Sequence, residues 1–344
     1  MKKRFFSLIL LSVLMLLVSA CGSNNTSNQT PKGEDDGSSN SDKAVELSIG
    51  LPGAEDHPFT VAANKFKEVL DDAGGGAFDV KIFPNSQLGG ERETAESVRM
   101  GSLDMTVVTV DGAMPAWIPE TQVFTVPYII RDREHAYKVL EGEVGQLLTK
   151  RANEEGWENL GYWELGVRHF TNNVGPVESP EDLEGLKMRV QESRVWFSLI
   201  NALKATPTPI AFNELYSALS QGVVDGQENP LPTIAAQKFY EVQKYLSLDG
   251  HTYTPAFVLI SQKKWASLTD EQKKLVQKAV DETTPYIRNW IVEQEEQLVS
   301  ELKEKGMVIS KPDLEKFREA TKEIPGEISD IVPKDLIDKV VNTK

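Results

Sequence analysis

The sequence predicts an α/β protein of two lobes with a hinge, a ligand cleft between the lobes and a long bracing helix. Three observations predict it. Apolar runs of strand length alternate with amphipathic stretches of helical period, the order of parallel sheets covered by helices. The 344 residues suffice for two lobes, each with its own core. A stretch at roughly 269–306 reads as one long helix, interrupted or not at Pro285, of a length to pack across both lobes.

At the N-terminus, Met1-Lys2-Lys3-Arg4 is basic, Phe5 to Val18 is almost wholly apolar, and small residues lead to Cys21. Residues 1–20 therefore read as a secretory signal, too short and wrongly flanked for a stable membrane span. Leu17-Val18-Ser19-Ala20-Cys21-Gly22 resembles a bacterial lipobox, which implies cleavage before Cys21 and a lipid on its sulfur. The alternative is an ordinary signal peptide with a chance cysteine. Cys21 is the only cysteine, so no intramolecular disulfide forms. Residues 21–43 lack the apolar content to fold and read as a tether.

The first lobe is expected over 44–165 plus about 254–295, and the second over 166–253 plus about 296–344. Val45 to Gly50 alternates and reads as a strand. Pro58 opens a helix that Gly74-Gly75-Gly76 closes. Phe78 to Phe83 is a second strand, Glu91 to Met100 a second helix, and Leu103 to Val110 a strand apolar on both faces. This β-α-β-α-β order predicts a parallel sheet, whose ligands bind beyond the carboxyl ends of the strands. Those ends carry Leu51–His57, Gln87–Glu91 and Thr109–Gly112.

Glu134 to Thr149 is helical and Leu160 to Trp163 a strand. Arg168 to Thr171 and Lys187 to Val190 read as separate strands. Helices follow at Glu192–Leu203 and Asn213–Ser220, and strands at Thr208–Phe212, Val223–Gly226 and Phe257–Ser261. A last helix is expected at Asp313–Glu323. His135 falls on a surface helix, and alternation turns His169 away from Arg168.

The formal charge is −15, and loss of Lys2, Lys3 and Arg4 with the signal takes it to −18. That balance argues against a nucleic-acid partner. No Gly-x-Ser-x-Gly, phosphate loop or His-Glu-x-x-His is present, four scattered histidines lack metal spacing, and no cofactor is called for.

Arg168 and Arg189 sit among apolar residues, and buried guanidinium groups are rare unless paired. Arg189 has no evident acidic partner in its own strand. A planar cation that keeps its proton suits a carboxylate, so the partner reads as a small organic anion. An exposed strand face or a structural salt bridge is the alternative. Asn229, before Pro230, is either a polar ligand contact or a turn former. Phe212 is either a pocket wall or plain core, and His57 either a ligand contact or a cap of the first helix.

Residues 44 to about 325 resemble the DctP-type solute receptors of tripartite ATP-independent periplasmic (TRAP) transporters, which have the periplasmic-binding-protein fold. The resemblance rests on Phe83-Pro84-Asn85-Ser86-Gln87-Leu88-Gly89, Gly101-Ser102-Leu103-Asp104, Glu184-Gly185-Leu186-Lys187-Met188-Arg189-Val190, Asp225-Gly226-Gln227-Glu228-Asn229-Pro230 and Phe239-Tyr240-Glu241-Val242-Gln243-Lys244-Tyr245. It implies that Arg189 pairs with the substrate carboxylate, that Arg168 supports it, that Asn229 completes the contact and that Phe212 walls the pocket. Glu91 falls on an acidic pocket-edge residue of sialic-acid receptors, and Glu192 on an asparagine. Near Thr109 those receptors carry a glutamate, and this sequence departs from them.

The resemblance further implies capture of an organic acid without catalysis and delivery to TRAP permease subunits driven by ion gradients. With the lipobox, it implies attachment to the outer face of a Gram-positive cell membrane. Glu55-Asp56-His57, Glu91 and Gln191-Glu192 offer hydroxyl partners, whereas a second cationic clamp would fall to Arg92 and His57. A hexuronate such as D-glucuronate or D-galacturonate is the first expectation, a four-carbon dicarboxylate the second and sialic acid the third. A lipid-anchored sugar-acid lyase or hydrolase, or a sensory receptor, is the competing class.

Overall fold

The computed structural model describes residues 44–344; the expected signal peptide, Cys21 and tether lie outside the described residues. The chain begins with β1 (Val45–Gly50), α1 (Pro58–Gly74), β2 (Phe78–Phe83), α2 (Glu91–Met100) and β3 (Met105–Thr109). β1 pairs in parallel with both β2 and β3, as the β-α-β-α-β order requires. Pro58 occupies the first turn of α1, and Gly75, in the left-handed region, ends it. Gly101 ends α2 in the same way.

α3 (Arg133–Glu141) and α4 (Glu143–Glu154) lead into β4 (Trp157–Asn172). The two strands expected at Leu160–Trp163 and Arg168–Thr171 are thus one strand of 16 residues. The expected strands left residues 164–167 unassigned. Register shifts fall between Asn159 and Tyr162 and between Glu164 and Gly166. Gly166 has φ +106°, and a Cβ there would meet Glu295 Oε1 at 2.5 Å, so glycine lets the strand bend and continue.

β5 (Lys187–Val190), α5 (Arg194–Ala202), β6 (Thr206–Pro209), α6 (Phe212–Ser220), β7 (Gly226–Pro230), α7 (Leu231–Ala236) and β8 (Tyr245–Ser247) come next. β6 ends earlier than expected, and Phe212 opens α6 rather than closing a strand. β7 starts where the expected Val223–Gly226 strand was to end. The remaining elements are β9 (Tyr253–Ser261), α8 (Gln262–Ser267), α9 (Asp270–Glu304), β10 (Val308–Ser310), α10 (Leu314–Thr321), α11 (Ile324–Glu327) and α12 (Lys334–Asn342).

The strand order is β2-β1-β3-β9-β4-β7-β5-β6, with β8 on β4 and β10 on β8. β4 belongs to both lobes. Its first part pairs with β9, and its last five residues, Arg168–Asn172, pair with β7. α9 is continuous through Pro285, opened by a Thr269–Gln272 capping box. Proline removes the bond to the carbonyl of Asp281, which stands on an exposed turn. α9 packs on α1 and β4 and also on α7 and β10, so it braces both lobes.

Each lobe has an apolar cluster of its own. Phe59, Phe66 and Val258 belong to one, and Leu215, Ile234 and Leu302 to the other. A third cluster departs from the expected pair of separate cores: it runs without a break from Trp157 and Phe257 to Trp196 and Phe317. The C-terminal helices make this continuity, since α11 packs on α5 and α12 on α4. His135, expected at the surface, is buried beneath α12. Its Nδ1 accepts from Arg131 N (3.1 Å) and its Nε2 donates to Val340 O (2.8 Å). Among the described residues, no helix is long and apolar enough to cross a membrane.

Candidate functional site

A cavity of about 240 Å³ lies at the carboxyl ends of parallel strands from both lobes. His57 comes to it from the loop after β1, Thr109 and Gly112 from the end of β3, Gln191 and Glu192 from the end of β5, and Phe212 from the turn after β6. Arg168, Arg189, Asn229 and Glu91 complete the set of sequence-predicted residues in its wall.

Arg189 is 2% exposed, whereas its strand neighbour Lys187 is exposed. β5 lies between β7 and β6, so the inner end of the strand is covered and only the start reaches water. Arg189 Nε donates to Ile210 O (2.9 Å). Neither terminal nitrogen of the guanidinium has a hydrogen-bond partner among the described residues. Burial lowers its pKa to about 10, partly opposed by Glu228, so the group stays charged at neutral pH.

Arg168 is different, and here the expectation of a missing partner is corrected. Both arginines are buried, but Arg168 already has a carboxylate. Its Nε donates to Glu228 Oε2, and its Nη2 reaches Glu228 Oε1 (2.9 Å), Glu228 O (2.8 Å) and Asn229 Oδ1 (3.0 Å). Nη1 donates to Thr254 Oγ1 (3.2 Å). Burial disfavours the cation, but Glu228 outweighs it and raises the pKa of Arg168. Glu228 in turn faces His251 Nε2 (3.3 Å), whose Nδ1 meets Asp249 Oδ2 (2.5 Å). Burial also works against the imidazolium, yet Asp249 and Glu228 bring His251 up to about 9.

Gln191 joins the same network. With its amide oxygen toward Arg168 it accepts from Nη2 (3.1 Å) and donates to Glu228 Oε1 (2.9 Å). Asn229 spends its amide on neighbours: Oδ1 accepts from Arg168, and Nδ2 donates to Gln227 Oε1 (2.5 Å). Sequence reasoning missed Glu228 as a site residue, and it placed Gln191 among the hydroxyl partners rather than beside Arg168 and Glu228. The signal for Glu228 was a carboxylate within the apolar-flanked run that supplies Asn229.

Glu91 opens α2 and accepts from Thr109 N (3.1 Å) and Thr109 Oγ1 (2.8 Å). Gly112 makes room for this, since a Cβ there would lie 2.6 Å from Glu91 Oε2. The side chain is half-buried by area but walled off from bulk water. That desolvation raises its pKa to about 7, against the hydrogen bonds of Thr109 and the charge of Arg189.

His57 caps α1, its Nδ1 accepting from Phe59 N (3.3 Å), and its ring lies 6.0 Å from that of Phe212. Burial lowers its pKa to about 3, so it is neutral and fails as the cationic clamp considered for it. Glu192 is exposed and pairs with Arg92 (3.2 Å) across the two lobes.

A guanidinium whose two terminal nitrogens lack a partner among the described residues, set in a small polar-edged cavity between lobes, is suited to holding a carboxylate. The profile of DctP, described as bacterial extracellular solute-binding protein, family 7, matches residues 50–329. The chain belongs to the DctP family. A DctP relative, the sialic acid-binding periplasmic protein SiaP of Vibrio cholerae, is 34% identical over 298 residues, covering 86% of this chain and 92% of that protein. A TRAP periplasmic solute-binding protein from Polaromonas sp. JS666, bound to D-erythronate, superimposes with a TM-score of 0.84 at 36% identity, covering 87% of this chain and 99% of that one. Another from Roseobacter denitrificans, with bound β-D-glucuronate, gives 0.82 at 29% identity, covering 87% and 100%. As a DctP protein, this chain is an extracytoplasmic TRAP solute receptor for small acids and not an enzyme.

Proposed function

We propose that this receptor captures a sugar-acid monocarboxylate, a hexuronate such as D-glucuronate or D-galacturonate, and delivers it to the membrane subunits of a TRAP permease. Arg189 carries the reading: a buried cation in the cavity wall whose terminal nitrogens have no hydrogen-bond partner among the described residues. Arg168 and Asn229 support the carboxylate from beside it, already oriented by Glu228 and Gln227. Glu91 and Thr109 supply hydroxyl partners at the other wall, Glu192 supplies one at the edge of the Arg189 side, and Phe212 packs against the apolar face of the sugar.

Three considerations favour a hexuronate. The cavity, at about 240 Å³, lies below the roughly 300–1,000 Å³ of sites for drug-sized ligands. A nine-carbon sialic acid fills it less well than a six-carbon acid. A four-carbon dicarboxylate needs a second cation, and His57 is neutral while Arg92 is engaged by Glu192. The Roseobacter relative holds glucuronate. Cys21, lipidated, tethers the receptor to the outer face of the cell membrane through residues 21–43.

A thermal-shift panel of D-glucuronate, D-galacturonate, succinate and N-acetylneuraminate tests the reading. A ligand at 100 times its Kd stabilises by about 2.7 kcal/mol. The uronates should raise Tm most. A shift with succinate or N-acetylneuraminate alone would overturn the hexuronate reading.

A further inference from the structure

The Arg92–Glu192 pair is not needed for a carboxylate to reach Arg189, yet both residues line the cavity that Arg189 lines. Arg92 belongs to α2 and Glu192 follows β5, so the contact joins the two lobes 100 positions apart in the chain. Arg92 Nη1 donates to Glu192 Oε2 (3.2 Å), its Nε lies 3.7 Å from Glu96 Oε1, and its guanidinium carbon lies 5.6 Å from the centre of the Trp117 ring. The two side chains are 51% and 70% exposed, so the pair adds little to stability.

Its effect is on which charges the cavity offers. Four side chains in the wall are of the cationic type: His57, Arg92, Arg168 and Arg189. His57 is buried and serves as a helix cap, and Arg168 is ion-paired with Glu228. With Arg189 holding one carboxylate, Arg92 is the only guanidinium of the wall left for another among the described residues. Glu192 and Glu96 occupy it, and Glu93 and Glu192 add negative charge on either side of the same cavity.

We infer that Glu192 is a specificity-determining residue that acts through Arg92: it holds the guanidinium across the cavity mouth and so rejects acids carrying a second carboxylate. This rests on the reading of Arg189 as the clamp for a monocarboxylate. The structural basis is one of rejection rather than attraction, a like charge and an occupied cation set against the wrong ligand.

The test is calorimetric titration of D-galactonate and galactarate, open-chain acids that differ in whether C6 is a hydroxymethyl group or a second carboxylate. The proteins are the wild type, Glu192→Gln and the double variant Glu192→Gln/Arg92→Gln. Wild type should prefer galactonate. Glu192→Gln should shift the affinity ratio toward galactarate by about fivefold, as an exposed ion pair of about 1 kcal/mol allows, and the double variant should lose that gain. An unchanged ratio in Glu192→Gln overturns the inference. So does a gain that survives in the double variant, since Arg92 would then have no part in it. Wild type binding neither acid also overturns the inference, which needs the cavity to admit the monocarboxylate of the pair, whereas the monocarboxylate reading itself stands or falls with the uronates of the thermal-shift panel.

Discussion

Arg168 and Arg189 stand two strands apart in one sheet and are both buried, yet only one of them carries an internal counter-charge. Glu228 fills that role for Arg168. Replacing it by glutamine leaves a buried guanidinium uncompensated, which costs about 3–5 kcal/mol. Urea denaturation of Glu228→Gln should show that loss, and a loss below about 1 kcal/mol would mean that Arg168 finds other compensation. Glu91 sets a pH dependence. Its folded pKa, about 7, lies above the unfolded value of 4.5, so the folded state holds the proton over that interval. The stability linked to this group is whole below the unfolded value and is lost as pH rises through the folded one, an amount of roughly 3 kcal/mol. Glu91→Gln should therefore melt with a flatter pH profile than wild type between these values, and parallel profiles would remove Glu91 as the source. Among single residues Arg189 was legible, because its apolar flanks betray a buried cation. Glu228 stayed hidden because its pairing with Arg168 depends on the antiparallel register of β4 and β7, 60 residues apart.

Among the elements, β4 and α9 hold the lobes in register. Arg133 of α3 ties them together: Nη1 donates to Glu164 Oε1 of β4 (2.7 Å) and Nη2 to Glu295 Oε2 of α9 (2.5 Å). Glu164 is almost fully buried and otherwise has Tyr253 and Tyr137 as hydrogen-bond donors. Arg133→Met should cost about 3–5 kcal/mol in chemical denaturation, because it strands a buried carboxylate beside the bulge of β4. A loss under about 1 kcal/mol would mean that the tyrosines alone satisfy Glu164. The first lobe was legible element by element, since its strands alternate and its helices carry Pro58, Gly75 and Gly101 at their ends. β4 was not. Residues 164–167 fell outside both expected strands, whereas Gly166 is a bend within one strand whose partners, β9 and β7, lie on opposite sides of it. Pro285 left open whether the long helix is interrupted, and tertiary packing on both lobes keeps it continuous.

For the whole molecule, the site exists only where the lobes meet, and each lobe supplies a different part. The second lobe brings Arg189, Arg168 and Asn229, the groups proposed to hold the carboxylate, on β5, β4 and β7. The first brings Glu91, Thr109 and His57 from loops at the ends of parallel strands. The strand-borne half was readable from the sequence, because pattern and burial follow one another in strands. The loop-borne half was less so, because His57 acts as a helix cap and Glu91 is held by Thr109, contacts that no local pattern announces. Calorimetric titration of D-glucuronate into wild type, Arg189→Lys and Arg189→Ala tests the central claim most directly. Loss of a buried charge-assisted contact costs about 2–5 kcal/mol, so Arg189→Ala should bind at least about thirtyfold more weakly. Arg189→Lys should stay impaired, because it keeps the charge and loses the fork. Wild-type affinity in Arg189→Ala would contradict the assignment of Arg189 as the carboxylate clamp.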